Sequence, residues 1–196
     1  TGSQRVMTEG KIIVLSAPSG SGKSTIINQI KDDPQLALQF SVSATNRKPR
    51  EGEEDGVDYN FMSTEEFQDH IANGDFVEHE EVYPGRFYGT LRSEIERIVR
   101  AGANCLLDID VEGALNVKRI FGDRALTLYI CPPDVATLRE RLIGRGTDSM
   151  EEIERRVAKA DKEMARAQNL DSKVVNDDLK TAVEQVRSII CNFIGA

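Results

Sequence analysis

Cysteine is scarce: three residues, Cys105, Cys131 and Cys191, in a chain of 196. They are odd in number and far apart, and two of them stand in apolar runs. Buried free thiols in a reducing cytoplasm are therefore expected, and a disulfide framework or a zinc site is not. No apolar stretch reaches the roughly 18 residues that a bilayer crossing needs, and no charged-then-apolar leader opens the chain, so no membrane role is expected. Positive charge is the minority sign, with 25 lysines and arginines against 33 aspartates and glutamates, for a net charge of −8. That balance argues against a nucleic-acid surface and requires any polyanion site to gather its cations locally. Internal repeats and low-complexity segments are missing too, and nothing in the sequence separates a monomer from a homo-oligomer.

What is present is enough for one domain with inserted subdomains, since 39% of residues are hydrophobic. The apolar run Ile12-Ile13-Val14-Leu15 is too short for a helix and too apolar for a surface strand, so a buried parallel strand is expected. It passes into Ser16-Ala17-Pro18-Ser19-Gly20-Ser21-Gly22-Lys23-Ser24-Thr25. Residues 17 to 24 follow the phosphate-loop pattern G-x-x-x-x-G-K-[ST], except that Ala17 stands where the first glycine would. Small residues let consecutive backbone N–H groups turn inward around a phosphate. Lys23 then places a point charge on the outer phosphates, and Ser24 offers a hydroxyl to Mg²⁺ carried with the nucleotide. The helix opening near Lys23 aims its positive end at the same place. An ATP or GTP site from Ala17 to Thr25 follows. An ordinary Gly/Ser loop is the weaker account, because strand, helix and Lys-Ser coincide.

Along the chain, Thr1 to Gly10 is expected to be a disordered start, with Thr-Gly-Ser an artificial remnant. Helices are expected from Ser24 to Lys31, Ser63 to Ala72, Leu91 to Ala101, 113 to 120, 134 to 143, Ser149 to Gln168 and Leu179 to Phe193. Strands are expected at 39–43, 59–61, 75–83, 87–89, 105–110, 125–131 and 174–175. Ser63 with Glu66, and Ser149 with Glu152, form capping boxes. Alternating strands and helices predict an α/β fold with a parallel sheet flanked by helices, of the P-loop NTPase type, whose ligands lie beyond the strands' carboxyl ends. The strands between 39 and 90 are expected to make a small mixed sheet inserted in that fold.

The segment from Ala44 to Tyr59 is too long and polar for a connector. Arg47 and Arg50 bracket Pro49, and two guanidinium forks on a stiff turn can hold one phosphate. Tyr59, beyond the turn, can add a phenolic hydrogen bond. A solvated basic loop is the plainer alternative, disfavoured by an acidic chain and a neighbouring phosphate loop. Read from Ser41 to Phe61, the segment resembles the GMP-binding stretch of guanylate kinases, S-V-S-x-T-x-R-x-P-R-x-G-E-x-x-G-x-x-Y-x-F, at every stated position. Phe76-Val77-Glu78 resembles the family strand whose glutamate reads guanine, and Tyr88-Gly89-Thr90 its Tyr-Gly-Ser/Thr. The resemblance places Ser43, Glu78 and Thr90 on the base and Arg47, Arg50, Tyr59 and Tyr88 on the phosphate. A carboxylate can accept guanine's N1–H and exocyclic amine together, a pair adenine does not offer.

Asp108 and Asp110 share one strand face by period two, and the resemblance puts Asp110 on the GMP side. The Asp-Ile-Asp-Val-Glu-Gly run starts like a calcium loop but has Arg119 where a bidentate Glu is required. His79-Glu80 starts like a zinc-protease motif but has Tyr83 where the second His belongs, so no protein-only metal site is expected. Arg141 and Arg145, four apart before Gly146, and Arg156 on the next helix can stabilise charge on a phosphoryl group in flight. In guanylate kinases the corresponding arginines belong to a lid, here about 135–168; Arg139 and Arg155 are expected to face solvent. Asn176 falls in a stretch, Asn-Asp-Asp, that the family places near adenine. The resemblance runs from about Lys11 to Ile190. It implies a core of 11–38, 91–134 and 169–196, a GMP-binding insertion of 39–90, ATP and GMP as substrates, and Mg²⁺ with ATP. A rival reading is a non-catalytic scaffold module of the same fold that binds phosphorylated partners, for which a degraded phosphate loop would be expected.

Overall fold

The structure is a computed structural model that describes residues 9–18 and 21–195. Residues 1–8, which hold most of the expected disordered start, together with Ser19 and Gly20, lie outside the described residues. Gly10 is already buried, and its N–H donates to the Val99 carbonyl at 2.8 Å.

In chain order the elements are β1 (Ile12–Ser16), α1 (Lys23–Ile30), β2 (Leu38–Phe40), β3 (Ala44–Thr45), β4 (Asn60–Phe61), α2 (Thr64–Ala72), β5 (Phe76–Tyr83) and β6 (Arg86–Leu91). There follow α3 (Arg92–Arg100), β7 (Asn104–Asp108), α4 (Val111–Phe121), β8 (Ala125–Cys131), α5 (Val135–Arg145), α6 (Met150–Arg166), β9 (Ser172–Val175) and α7 (Leu179–Ile194). The strands form a five-stranded sheet of order β2-β7-β1-β8-β9 and a four-stranded sheet of order β4-β3-β6-β5. The larger is the parallel, helix-flanked sheet that the alternation of elements predicts. The expected strand 39–43 is divided. Leu38–Phe40 joins the larger sheet and Ala44–Thr45 the smaller, because the chain leaves one sheet and enters the other between them.

Among the described residues two compact units result: one holds residues 9–12 and Gln39–Cys105, the other Ile13–Leu38 and residues 106–195. Strand β1, which lies in the second unit from Ile13 on, is buried along its whole length, as an apolar run on an inner strand must be. Its Ile13 and Leu15 pack with Ile26 and Ile30 of α1, Leu128 of β8 and Val186 and Ile190 of α7 in one apolar core. Helices α5 and α6 carry a small core of their own, Leu138, Leu142, Ile153 and Ala160. In the first unit the smaller sheet is covered by α2, whose Phe67 is fully buried with its ring 4.5 Å from Phe76 and 5.4 Å from Phe87. Truncating such a side chain costs about 3–5 kcal/mol.

Helix ends obey their local chemistry. Ser63 accepts from Glu66 N–H at 3.1 Å and Ser149 from Glu152 N–H at 3.2 Å; Asp134 and Asp178 cap α5 and α7 through Thr137 and Thr181. Gly146, with φ +66°, closes α5, so Arg145 is its last residue.

Candidate active site

The phosphate loop leaves the buried end of β1. Ala17 is partly buried against the apolar core, so the methyl that replaces the expected hydrogen has a place to sit. Pro18 is buried, and its carbonyl accepts from Ser21 Oγ at 2.7 Å. Gly22 sits in the left-handed region at φ +83° and opens α1. Among the described residues no side chain caps that helix, and no acid stands in its first turn. The first N–H groups and the positive end of such a helix are suited to an external anion. Lys23 begins the helix with its ammonium against the Asp108 carboxylate, and Ser24 and Thr25 are exposed beside it.

Asp108 ends β7, and Asp110 lies past the strand, not on one face with Asp108. The Asp110 carboxylate caps α4 by accepting from Gly113 N–H at 2.8 Å; its own backbone is still extended, and the helix begins at Val111. Near it, burial pushes the Glu163 carboxyl above the usual range, with Asp110 adding to the effect against Lys159 and Lys23. Nothing in the order of residues singles out Glu163, because α6 carries many acids. Asn176 is buried, with its side-chain amide donating to the Ser21 carbonyl at 2.7 Å. Its own backbone carbonyl accepts from the Arg141 guanidinium at 3.0 Å. Arg156 pairs with Asp148 at 3.2 Å and Glu152 at 3.6 Å. Arg145 is exposed and, among the described residues, makes no ion pair. Arg139 and Arg155 face solvent, as expected, on Glu154 and Glu152.

In the other unit, Arg47 is only 8% exposed. Its guanidinium lies over the rings of Tyr59 and Phe61, at 5.2 Å and 5.7 Å, and donates through Nε to the Tyr88 hydroxyl at 3.3 Å. The two terminal nitrogens grip Glu53 at 2.7 Å and 2.9 Å, and one also reaches the Lys48 carbonyl at 3.0 Å. One bond from Nε, two from one terminal nitrogen and one from the other engage four of the guanidinium's five donors. The fork that sequence reasoning reserved for a phosphate is thus already committed to Glu53. Arg47 beside it, and the Arg50 N–H at 2.7 Å, bring the Glu53 carboxyl down to about 2. Glu53 is the acid that the family pattern fixes, while Glu51 and Glu54 fall at its free positions, but the pattern does not say that this acid grips Arg47. The usable signal is an acid at the family's fixed position, three residues past Arg50.

Arg50 is exposed and lines an open cavity of about 490 Å³ with Arg47, Lys48 and Arg86. Asn46 ties the walls of that cavity together, donating to Thr64 Oγ1 at 2.8 Å and Gly85 O at 2.7 Å and accepting from Phe87 N–H at 2.8 Å. On β6, Tyr88 and Thr90 share a face, and Glu78 stands opposite Thr90 in the β5–β6 register. Thr90 is buried, and its hydroxyl donates to the half-buried Glu78 carboxylate at 2.8 Å, which orients the acid. Ser43 is half-buried, at the entrance to β3.

The family model described as guanylate kinase matches residues 9–192. A guanylate kinase from Porphyromonas gingivalis is 52% identical over 185 residues, 94% of this chain and 98% of that protein. One from Salinibacter ruber is 52% identical over 190 residues, 97% of this chain and all of that one. Among solved structures, the crystal structure of guanylate kinase from Anaplasma phagocytophilum aligns with a TM-score of 0.66 at 30% identity, covering 95% of this chain and 87% of that one. With the phosphate loop and the Glu78–Thr90 and Arg47–Tyr88 pairs in place, this chain belongs to the guanylate kinase family.

Proposed function

We propose that this chain transfers the γ-phosphoryl group of ATP to GMP, giving ADP and GDP. A GMP phosphate oxygen attacks the γ-phosphorus as the bond from that phosphorus to the departing ADP oxygen breaks. No side chain is phosphorylated on the way, so catalysis is positioning and charge neutralisation. The observation that carries the reading is the sheet face on which Glu78, Thr90 and Tyr88 stand together, with Arg47 bonded to Tyr88. Guanine's paired donors suit the Glu78 carboxylate, with Ser43 and Thr90 beside it. The phosphate falls to Arg50, Tyr59 and Tyr88 and to the one uncommitted Arg47 donor. ATP phosphates fall to the loop from Ala17 to Thr25, with Lys23 on the outer ones and Arg141, Arg145 and Arg156 supplying charge from the α5–α6 pair. We assign 135–168 as the lid and 39–90 as the GMP-binding insertion.

Among the described residues no three His, Cys, Asp or Glu side chains gather as a metal cage. The Ser24 hydroxyl and the Asp108 carboxylate are hard oxygen donors at the loop. Such a sparse set suits Mg²⁺, which keeps waters and phosphate oxygens in its shell. Mg²⁺ would enter with ATP and neutralise phosphate charge. No helix among the described residues is long and apolar enough to cross a membrane, and the three thiols are unpaired, as a reducing cytoplasm would leave them.

ADP release measured with ATP and each nucleoside monophosphate in turn tests this reading. GMP should drive turnover far above AMP or UMP. Equal or faster turnover with AMP, or none with GMP, would overturn it.

A further inference from the structure

We infer that Asn176 is a positioning residue, which fixes the direction in which the phosphate loop presents its backbone; the inference rests on the kinase reading above. Its place is set by the sheet. β9 pairs with β8 in parallel up to Cys131 and Val175, and the Asn176 N–H extends that ladder by donating to the Cys131 carbonyl at 2.8 Å. From this anchored backbone the side-chain amide reaches across 155 residues of sequence to the Ser21 carbonyl at 2.7 Å, and both residues are buried.

The peptide between Ser21 and Gly22 is trans, so its C=O and N–H point in opposite directions. Holding the carbonyl toward Asn176 therefore aims the Gly22 N–H away from it. That sense of the peptide is the one a loop needs in order to offer N–H groups to an anion. The fit is close: a Cβ on Gly22 would lie 2.5 Å from the Asn176 amide nitrogen. The same residue's backbone carbonyl receives Arg141 at 3.0 Å, so one anchored position holds the loop and an arginine of α5 together. A side chain that merely touched the adenine would need neither the buried amide bond nor the missing Cβ.

Steady-state kinetics of Asn176→Ala, with ATP and with ITP, in which an oxygen replaces the 6-amino group, separate the two roles. Misplacing the loop should lower kcat about 10-fold or more with both triphosphates alike, while the KM for GMP changes less than about twofold. A loss seen with ATP and absent with ITP, or no loss with either, overturns the inference. Calorimetric binding of inorganic tripolyphosphate, which has no base, needs no turnover and so decides the matter even where the kinase reading fails. Binding should weaken about 10-fold in the variant, and unchanged binding overturns the inference. Asn176→Asp keeps the volume but not the donor, which guards against misfolding of the alanine variant. Its kcat relative to wild type should rise as pH falls, because a protonated carboxyl regains an O–H to give to Ser21, and a flat ratio counts against the bond.

Discussion

On the proposed reading, the two compact units would meet phosphate with different materials. Around the loop the work falls to the backbone: an uncapped helix start, a glycine at φ +83° and a carbonyl held by Asn176. Around the small sheet it falls to side chains, with Arg47 gripped by Glu53 and bonded to Tyr88 over the rings of Tyr59 and Phe61, and Glu78 oriented by Thr90. A backbone cradle accepts phosphate whatever is attached to it. A side-chain site can refuse a neighbour of the wrong shape, because its buried polar groups are left unpaired. Identity should therefore be decided in the unit that holds Arg47 and Glu78, and rate in the unit that holds Lys23.

Lys23→Ala presses hardest on that division. We expect kcat to fall about 10³-fold, in the range of a cation that stabilises a transferring phosphoryl group, while calorimetric GMP affinity stays within about twofold. Comparable loss of both would erase the contrast. Next comes Glu78→Gln, which replaces one acceptor oxygen by an N–H₂ facing guanine's own donors. kcat/KM for GMP should drop about 10²-fold or more, with the KM for ATP unmoved. Arg145→Ala follows, at about 10-fold in kcat and with no change in Tm, because that side chain is exposed and makes no ion pair among the described residues.

The smallest effect concerns Glu53. Its carboxyl, ordinarily near 4.5, is lowered to about 2 by Arg47 and by the Arg50 N–H. A depressed carboxyl stabilises the fold above its unfolded value and loses that contribution as pH falls toward the folded one. The Tm difference between wild type and Glu53→Gln should thus be steady above about pH 4.5 and close progressively toward about pH 2. A difference that stays constant through this window would mean that the pair with Arg47 does not form in solution.

What could be read from the sequence was local. The β1–loop–α1 passage, the serine caps at Ser63 and Ser149 and the whole of β8 needed only neighbours within a few residues. The expected strand 39–43 was blurred because Phe40 and Ala44 belong to different sheets, and no alternation of apolar residues marks a change of partner. By period two Asp110 reads as strand, because that period cannot tell a last strand residue from the cap of the next helix. For Asn176 the sequence offers only the family resemblance, which implies a place near the nucleotide. Its bond to Ser21 joins positions 155 apart in sequence, a closeness that exists only once β9 lies beside β8. The Arg47–Glu53 grip is short-range, yet it stayed hidden because either arginine could have taken any of the nearby acids.

Ala17 ends up with one foot in the hydrophobic interior. What that position tolerates is then governed by volume, so a glycine there would loosen the loop's root and a valine would wedge it. Variation at the head of the motif would tune how firmly the cradle is hinged, leaving its grip on phosphate to the residues further in.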